Sequence, residues 1–413
     1  FNILNAGTNL ARFIGNAHGY VVNEGEKCPV DGVLEYRGYN ICDLLEGCIA
    51  EGRFGFEECA FLLFMGHLPT RWELQEFADV LAMLRHLPPR FTEDIIMKAP
   101  SRSIMNKLEV AVLSLYAYDD NPDDTSLENM MRQSMELVAR LPVIAGQAYA
   151  VYRNTFFNKS LNLHNPRDGL STAENFLRIL RPDKSYTPEE AHLLDLCLII
   201  HAEHGGGNAS TFATRVLSST GTDTYSAIAA GIGALKGPLH GGANIKVQEM
   251  FDCVKANVRD PHNDDELSDF LLRILKGKAN DGSGLIYGMG HAVYTKSDPR
   301  AVMLKRYARQ LAQDKGYGED FELLESIERL TPEVFNTYKG KHHDICANVD
   351  LYSGLVYRML GIPTEMYTPL FTIARTAGWC AHRMEEILSS GKIMRPGYKC
   401  IERERPYTEL TRR

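Results

Sequence analysis

Two histidines and an aspartate in the second half of the chain stand in backbone that ordinary helix interior does not supply. The segments are Gly237-Pro238-Leu239-His240-Gly241-Gly242-Ala243-Asn244, Gly288-Met289-Gly290-His291-Ala292-Val293-Tyr294 and Asn348-Val349-Asp350. Glycines beside an imidazole bring bare backbone near a ligand and remove competing side chains. Set this way, His240, His291 and Asp350 read as proton-transfer groups. His240 follows a helix expected over 223–236, and Gly241-Gly242 opens the next one. Near a helix N-terminus the dipole disfavours imidazolium, so a neutral His240 could hydrogen-bond an oxygen gaining negative charge. A histidine serving only a tight turn is the competing reading, and it applies equally to His291. Asp350 opens a helix, where an aspartate can simply cap. A carboxylate with an ordinary pKa near ~3.9 takes a carbon-bound proton only if the developing oxyanion is stabilised at the same time. A histidine donor would meet that need.

Cations accompany these groups. Asp298-Pro299-Arg300 has the form of a helix start, with Asp298 as cap and Pro299 in the first turn. Arg300 would then offer its fork of donors to a carboxylate, or else form a surface salt bridge. Arg375 lies in the apolar run Pro369-Leu370-Phe371-Thr372-Ile373-Ala374-Arg375-Thr376, where a buried charge needs an anionic partner. His201-Ala202-Glu203-His204 invites a zinc reading, but the spacing is not His-Glu-x-x-His and no cysteine pair or carboxylate cluster completes a shell. Gly231-Ile232-Gly233 has the wrong glycine spacing for a dinucleotide loop and no strand before it. No Gly-x-Ser-x-Gly elbow or Walker loop occurs, so serine hydrolysis and P-loop phosphoryl transfer have no support.

The elements that must position these residues are helical. Apolar residues recur at three- and four-residue spacing near 43–51, 56–66, 71–86, 104–118, 125–139, 143–157, 171–181, 188–203, 208–219, 223–236, 242–257, 264–276, 300–314, 319–329, 350–360 and 366–390. Lys27 to Tyr39, with Val33-Leu34-Glu35-Tyr36 after Asp31-Gly32, is the best candidate for a small hairpin. The stretch 258–345 is richer in charge and short connectors. It reads as a smaller lobe within a larger one, dividing the chain into 1–242, 243–360 and 361–413, with the three site segments at the crossings.

With 413 residues the chain exceeds one ordinary core. Its 44% apolar and 24% charged residues are those of a globular protein, with no run near the ~20 apolar residues of a membrane span. A net charge of −8 argues against general nucleic-acid affinity. The nine cysteines, an odd and scattered set, point to a reducing, cytoplasmic setting and away from a zinc ribbon. Phe1 rather than Met stands first, which leaves a removed leader open.

Taken in order, His201 to Ser210, Gly237 to Asn244, Gly288 to Arg300, Asn348 to Gly354, Arg375 and Lys392-Ile393-Met394-Arg395-Pro396 resemble the citrate synthase family over essentially the whole chain. Asp31 to Tyr39 is similar to the N-terminal segment of bacterial members. The resemblance implies an all-α homodimer whose large and small domains close over oxaloacetate before acetyl-CoA reacts. It needs no permanently bound cofactor, with acetyl-CoA as co-substrate, and would perform the first step of the tricarboxylic acid cycle. It assigns methyl-proton abstraction to Asp350, the thioester oxygen to His240 and the ketone to His291. It gives the substrate carboxylates to His204, Arg300 and Arg375, with Arg395 reaching from the partner subunit. CoA contacts fall to Leu239, Gly288, Gly290, Ala292 and Asn348. Some relatives carry a basic residue where this chain has Thr295, and Lys296 is the neighbour that would compensate. A 2-methylcitrate synthase acting on propionyl-CoA and an inactive helical scaffold are the alternatives.

Overall fold

Among the residues described by the computed structural model, which are 14–23, 26–389, 391–397, 399, 401–403 and 405–412, fifteen α-helices follow one small sheet. The sheet is antiparallel, β1 (Gly15–Asn23), β2 (Glu26–Tyr36) and β3 (Tyr39–Asn40) in that order. The all-α expectation holds, with the sheet as an N-terminal addition. The tight turn lies at Arg37-Gly38, both with positive φ. Asp31-Gly32 instead lies inside β2, where the pairing runs His18 to Val33 and then Tyr20 to Pro29, so that Val30, Asp31 and Gly32 oppose the single residue Gly19. An Asp-Gly pair serves a turn or a bulge for the same steric reason, and β1 lacked the alternation that would have marked the partner strand.

The helices are α1 (Ile41–Ala50), α2 (Phe56–Met65), α3 (Arg71–Leu84), α4 (Ile104–Leu115), α5 (Leu127–Phe157), α6 (Thr172–Leu180), α7 (Pro188–His201) and α8 (Ala209–Ser218). They continue as α9 (Thr224–Lys236), α10 (Ala243–Asn257), α11 (Asp264–Leu275), α12 (Pro299–Asp314), α13 (Gly318–Lys339), α14 (Val349–Met359) and α15 (Tyr367–Ser389). Reciprocal capping boxes start α3 (Thr70/Glu73), α6 (Ser171/Glu174) and α7 (Thr187/Glu190). The two helices expected on either side of Pro142 are one, α5, and α13 likewise runs through Pro332 past the expected end at 329. A proline inside a helix costs about 3 kcal/mol. Burial offsets it in α5, where Leu137 to Ala145 are all within the core except Arg140. A π-helical turn at Thr92–Met97 had no periodic signal in the sequence.

Helix α15 is the axis of the fold. It packs on α2, α4, α5, α7, α8 and α9, and all but Phe371 of Tyr367 to Met384 is buried. Helix α7 ends against it at Gly378, where a Cβ would come within 2.4 Å of the Ala202 carbonyl oxygen and 2.3 Å of Glu203 Oε2. That close approach sets the turn after α7, residues 202–208, beside the Arg375 side chain one turn earlier. On the other side α10 packs on α14, α11 on α13, and α12 on both α13 and α14. Helix α12 also touches α7, α1 and β2. The N-termini of α12 and α14 thereby face the turn after α7.

Candidate active site

Arg375 is 0% exposed. Its Nε donates to the His201 carbonyl at 2.7 Å, and the guanidinium covers the Phe371 ring at 4.7 Å. Nη1 and Nη2 are buried with no hydrogen-bond partner. Burial pushes its pKa down to about 10, with Glu203 opposing and Arg300 adding to the fall. An unpartnered buried guanidinium is a receptor waiting for an anion. Glu203, which the sequence reading passed over, is its fixed counter-charge. Fully buried, it accepts from His382 Nε2 at 2.9 Å and from the Gly205 N–H. Burial works against its ionisation, but His382 and Arg375 hold its carboxyl below the usual range.

The next residue is His204, whose Nε2 is buried and also without a partner. Its ring meets His291 edge-on at 5.2 Å and Tyr294 at 5.6 Å. Burial, then Arg300 and His291, push its pKa well below the ordinary value, so it is neutral. His201 does not turn toward a metal. Its Nδ1 donates to the Cys197 carbonyl at 2.7 Å, and among the described residues no cluster of three His, Cys, Asp or Glu side chains could hold an ion.

His291 is oriented by its own loop. Nδ1 accepts from the Val293 N–H at 3.0 Å and the Tyr294 N–H at 3.2 Å, which puts the proton of the neutral ring on Nε2. Burial and then Arg300 bring its pKa down to about 4. Nε2 lies 3.5 Å from Arg300 Nη2. Two donors with no acceptor between them converge there, a geometry suited to a carbonyl oxygen.

Arg300 is not free, as the sequence reading had it, nor in a surface ion pair. It is 4% exposed, and Asp298 takes Nε at 3.0 Å and Nη2 at 2.8 Å while also capping α12 through the Arg300 N–H. Burial works against the guanidinium charge, yet the Asp298 carboxylate outweighs it and raises the pKa. Asp298 Oδ2 further accepts from the Val349 N–H at 3.3 Å. The capping aspartate therefore ties the start of α12 to the start of α14, which carries Asp350.

Asn348 caps α14 by accepting from the Asp350 N–H at 3.0 Å, leaving the Asp350 carboxyl outside the cap. Burial, with Asp298 adding and Arg300 opposing, raises Asp350 to about 6. The loop of His291 is laced to this helix start. Gly290 N–H donates to Cys346 O, Asn348 N–H to Gly288 O, and Asn348 Nδ2 to Gly290 O at 2.7, 2.9 and 2.8 Å. Gly288 has φ +82°, and a Cβ there would lie 2.9 Å from Leu351 Cα, so only glycine fits.

His240 sits on the loop between α9 and α10. Its Nε2 is 3.0 Å from Ser210 Oγ, which also accepts from Trp379 Nε1–H at 3.2 Å and can donate to Asn208 Oδ1 at 2.9 Å. The hydroxyl has one proton: given to His240 Nε2 in place of Asn208, it leaves the imidazole proton on Nδ1, free to donate. Burial, then Arg375, lowers His240 to about 4. Both histidines are thus neutral near pH 7. Leu239 beside it is wholly exposed and Ala292 is exposed. Thr295 turns a partnerless Oγ1 inward while Lys296 is exposed. Arg395 is exposed in the segment after α15, where the Met394 N–H donates to Ser219 Oγ at 3.0 Å.

Glu203, Asp298, Ser210 and Trp379 are the supporting groups that sequence reasoning missed. Only Asp298 carried a signal, and that signal was for a cap.

A helical fold holding neutral imidazole donors, a carboxyl with a raised pKa and a partnerless guanidinium is that of an acid/base enzyme equipped for an anionic substrate. A family model described as citrate synthase, C-terminal domain, matches residues 16–397. The chain is 36% identical to a citrate synthase of Synechocystis over 89% of its length and 84% of that protein's. It is 33% identical to a 2-methylcitrate synthase of Corynebacterium glutamicum, over 93% of each chain. In structure it matches the Thermoplasma acidophilum citrate synthase, solved as a ternary complex with carboxymethyl-coenzyme A and oxaloacetate, with TM-score 0.78 and 28% identity over 97% of this chain and 96% of that one. The chain belongs to the citrate synthase family.

The raised Asp350 has a cost that can be measured. Between the unfolded carboxylate value near ~4 and about 6, the native state holds the proton more tightly than the unfolded state, so stability falls as pH rises through that window. Asp350→Asn removes the penalty. Denaturant unfolding should show the variant more stable by on the order of 1–3 kcal/mol near neutral pH, with the gain vanishing below about pH 4. An unchanged or lower stability at neutral pH would place Asp350 in an ordinary solvated setting.

Proposed function

We propose that Asp350 takes a proton from the methyl group of acetyl-CoA while His240 hydrogen-bonds the thioester oxygen, so that the negative charge of the enolate formed is stabilised as it develops. The enzyme is citrate-forming: acetyl-CoA, oxaloacetate and water give citrate and CoA. The methyl carbon of the enolate attacks the ketone carbon of oxaloacetate, and the ketone oxygen, lying against His291 Nε2–H and Arg300, takes the His291 proton to become the hydroxyl of citryl-CoA. Water then cleaves the thioester of citryl-CoA, which makes the sequence effectively irreversible and feeds the tricarboxylic acid cycle. The observation that carries this reading is the buried Arg375 with both Nη atoms unpartnered, beside the partnerless Nε2 of His204. Together with Arg300 these groups offer cationic and neutral donors to the carboxylates of a small diacid.

In this reading residues 243–360 act as a closing lobe. They carry His291, Arg300 and Asp350, whereas 1–242 and 361–413 carry His204, His240 and Arg375. Closure assembles the two sets around the substrate and excludes water from the enol. The backbone around Leu239, Gly288, Gly290, Ala292 and Asn348 receives the CoA arm, entering at the exposed Leu239 and Ala292, with Lys296 beside it for phosphate. The enzyme works as a homodimer, and the exposed Arg395 completes the oxaloacetate site of the second copy. The cytoplasm is its compartment. The eight described cysteines are all unpaired, and among the described residues no helix is long and apolar enough to cross a membrane.

Two measurements test this. Thiol release with oxaloacetate should give a kcat/KM for acetyl-CoA on the order of ten- to a hundredfold above that for propionyl-CoA, the range one methylene allows in a fitted pocket. A preference for propionyl-CoA would assign the chain to 2-methylcitrate formation. Arg395→Ala and His291→Ala should each be nearly inactive. Equal mixtures after subunit exchange should recover about a quarter of wild-type activity, since half the dimers then hold one intact site of two. No recovery, with exchange verified, would remove Arg395 from the shared site.

A further inference from the structure

We propose that the N-terminal hairpin is a positioning strap that sets the spacing of His204 and His291 and so the fit of oxaloacetate. The inference rests on the reading above that these two imidazoles hold that substrate. It starts from the bulge in β2, where Val30, Asp31 and Gly32 oppose Gly19. Bulges re-aim a strand, and they recur next to active sites. This one is pressed onto the loop that follows His291. A Cβ on Gly32 would lie 2.1 Å from the Ser297 carbonyl oxygen and 2.7 Å from Tyr294 Cδ1, and one on Gly19 would lie 2.6 Å from the Val293 carbonyl oxygen. Neither position has room for a side chain.

The contact reaches the chemistry in two steps. Tyr294 is 0% exposed and stacks on His291 with ring centroids 4.7 Å apart and planes 22° apart. The Gly32 backbone therefore backs the ring that backs the imidazole. Ser297 latches the same place, its hydroxyl donating to Asp31 at 2.9 Å and accepting from the Gly32 N–H at 3.1 Å.

The other end of β2 holds the turn of His204. Tyr36 is fully buried, and its hydroxyl lies 2.9 Å from the Ile199 carbonyl and 3.1 Å from the Glu203 carbonyl, with the Glu203 N–H at 3.2 Å. The start of β1 presses on the same residue, since a Cβ on Gly15 would lie 2.5 Å from Glu203 Cγ. At its base, Arg37 anchors the hairpin to the Leu63 carbonyl and to Glu385. One short sheet thus spans from the His204 turn to the His291 loop. These lie in the segments assigned above to the fixed and the closing lobe.

The test uses steady-state kinetics of the full chain with both substrates. Ser297→Ala, which removes only a partly exposed hydroxyl, should raise KM for oxaloacetate several-fold and leave KM for acetyl-CoA within about twofold, with Ser297→Thr restoring most of the loss. Gly32→Ala should go further in the same direction, on the order of tenfold to a hundredfold in kcat/KM for oxaloacetate, the scale of an ~1 Å misplacement. Oxaloacetate kinetics unchanged in Ser297→Ala, or equal changes for both substrates, would overturn the strap. His291→Ala in the same series separates the two readings. If it keeps wild-type oxaloacetate kinetics, the assignment of the site fails, whereas its loss beside an unaffected Ser297→Ala sinks the strap alone.

Discussion

A guanidinium in the middle of the helical core, with one nitrogen engaged and two unpartnered, sets the terms for the rest of the molecule. Arg375 can be kept there only because α15 is surrounded by helices that exclude water and because Glu203 lies close enough to hold the charge. Leaving donors of a buried charge unpaired costs stability on the order of a few kcal/mol. The surplus of apolar burial along α15 offsets that cost, and so long a stretch of this helix is buried on every side. The return is a cation with no competing solvent, where a carboxylate is recognised far more strongly than at a surface.

The same logic repeats around it. Asp298 holds Arg300 and docks the helix of Asp350, so one carboxylate fixes both. Burial makes all three site histidines harder to protonate and Asp350 harder to deprotonate. Each shift lies in the direction the proposed chemistry requires: neutral imidazoles for an oxyanion, and a carboxylate basic enough to share a carbon-bound proton. The site is thus built from groups held against their solution preference, and the helices supply the stability that tolerates it.

How much of this was legible in the sequence follows the range of the interactions. Helices α3, α6 and α7 are readable because their periodicity is local, and His240 and His291 because their glycines are adjacent. Pro142 misled because its penalty is local, whereas the packing that offsets it is not. Glu203, Ser210 and Trp379 gave no sign, since their partners come from other helices, as when Arg375 meets the His201 carbonyl across 174 positions. Asp31-Gly32 looked like a turn until Ser297, 265 residues on, showed what the bulge faces. Arg300 was identified as a site residue, but its pairing with Asp298, only two residues away, was hidden behind the more familiar role of a cap.

The central claim is that Arg375 is held under-satisfied so that oxaloacetate can complete it. Arg375→Met, close in volume and uncharged, puts that to one measurement: oxaloacetate affinity by calorimetry, with unfolding free energy of the ligand-free protein determined on the same samples. The account predicts a ligand-free protein that stays folded but binds oxaloacetate on the order of a hundredfold or more weakly, as loss of a charge-assisted bidentate contact implies. Wild-type affinity in a folded Arg375→Met protein would contradict it.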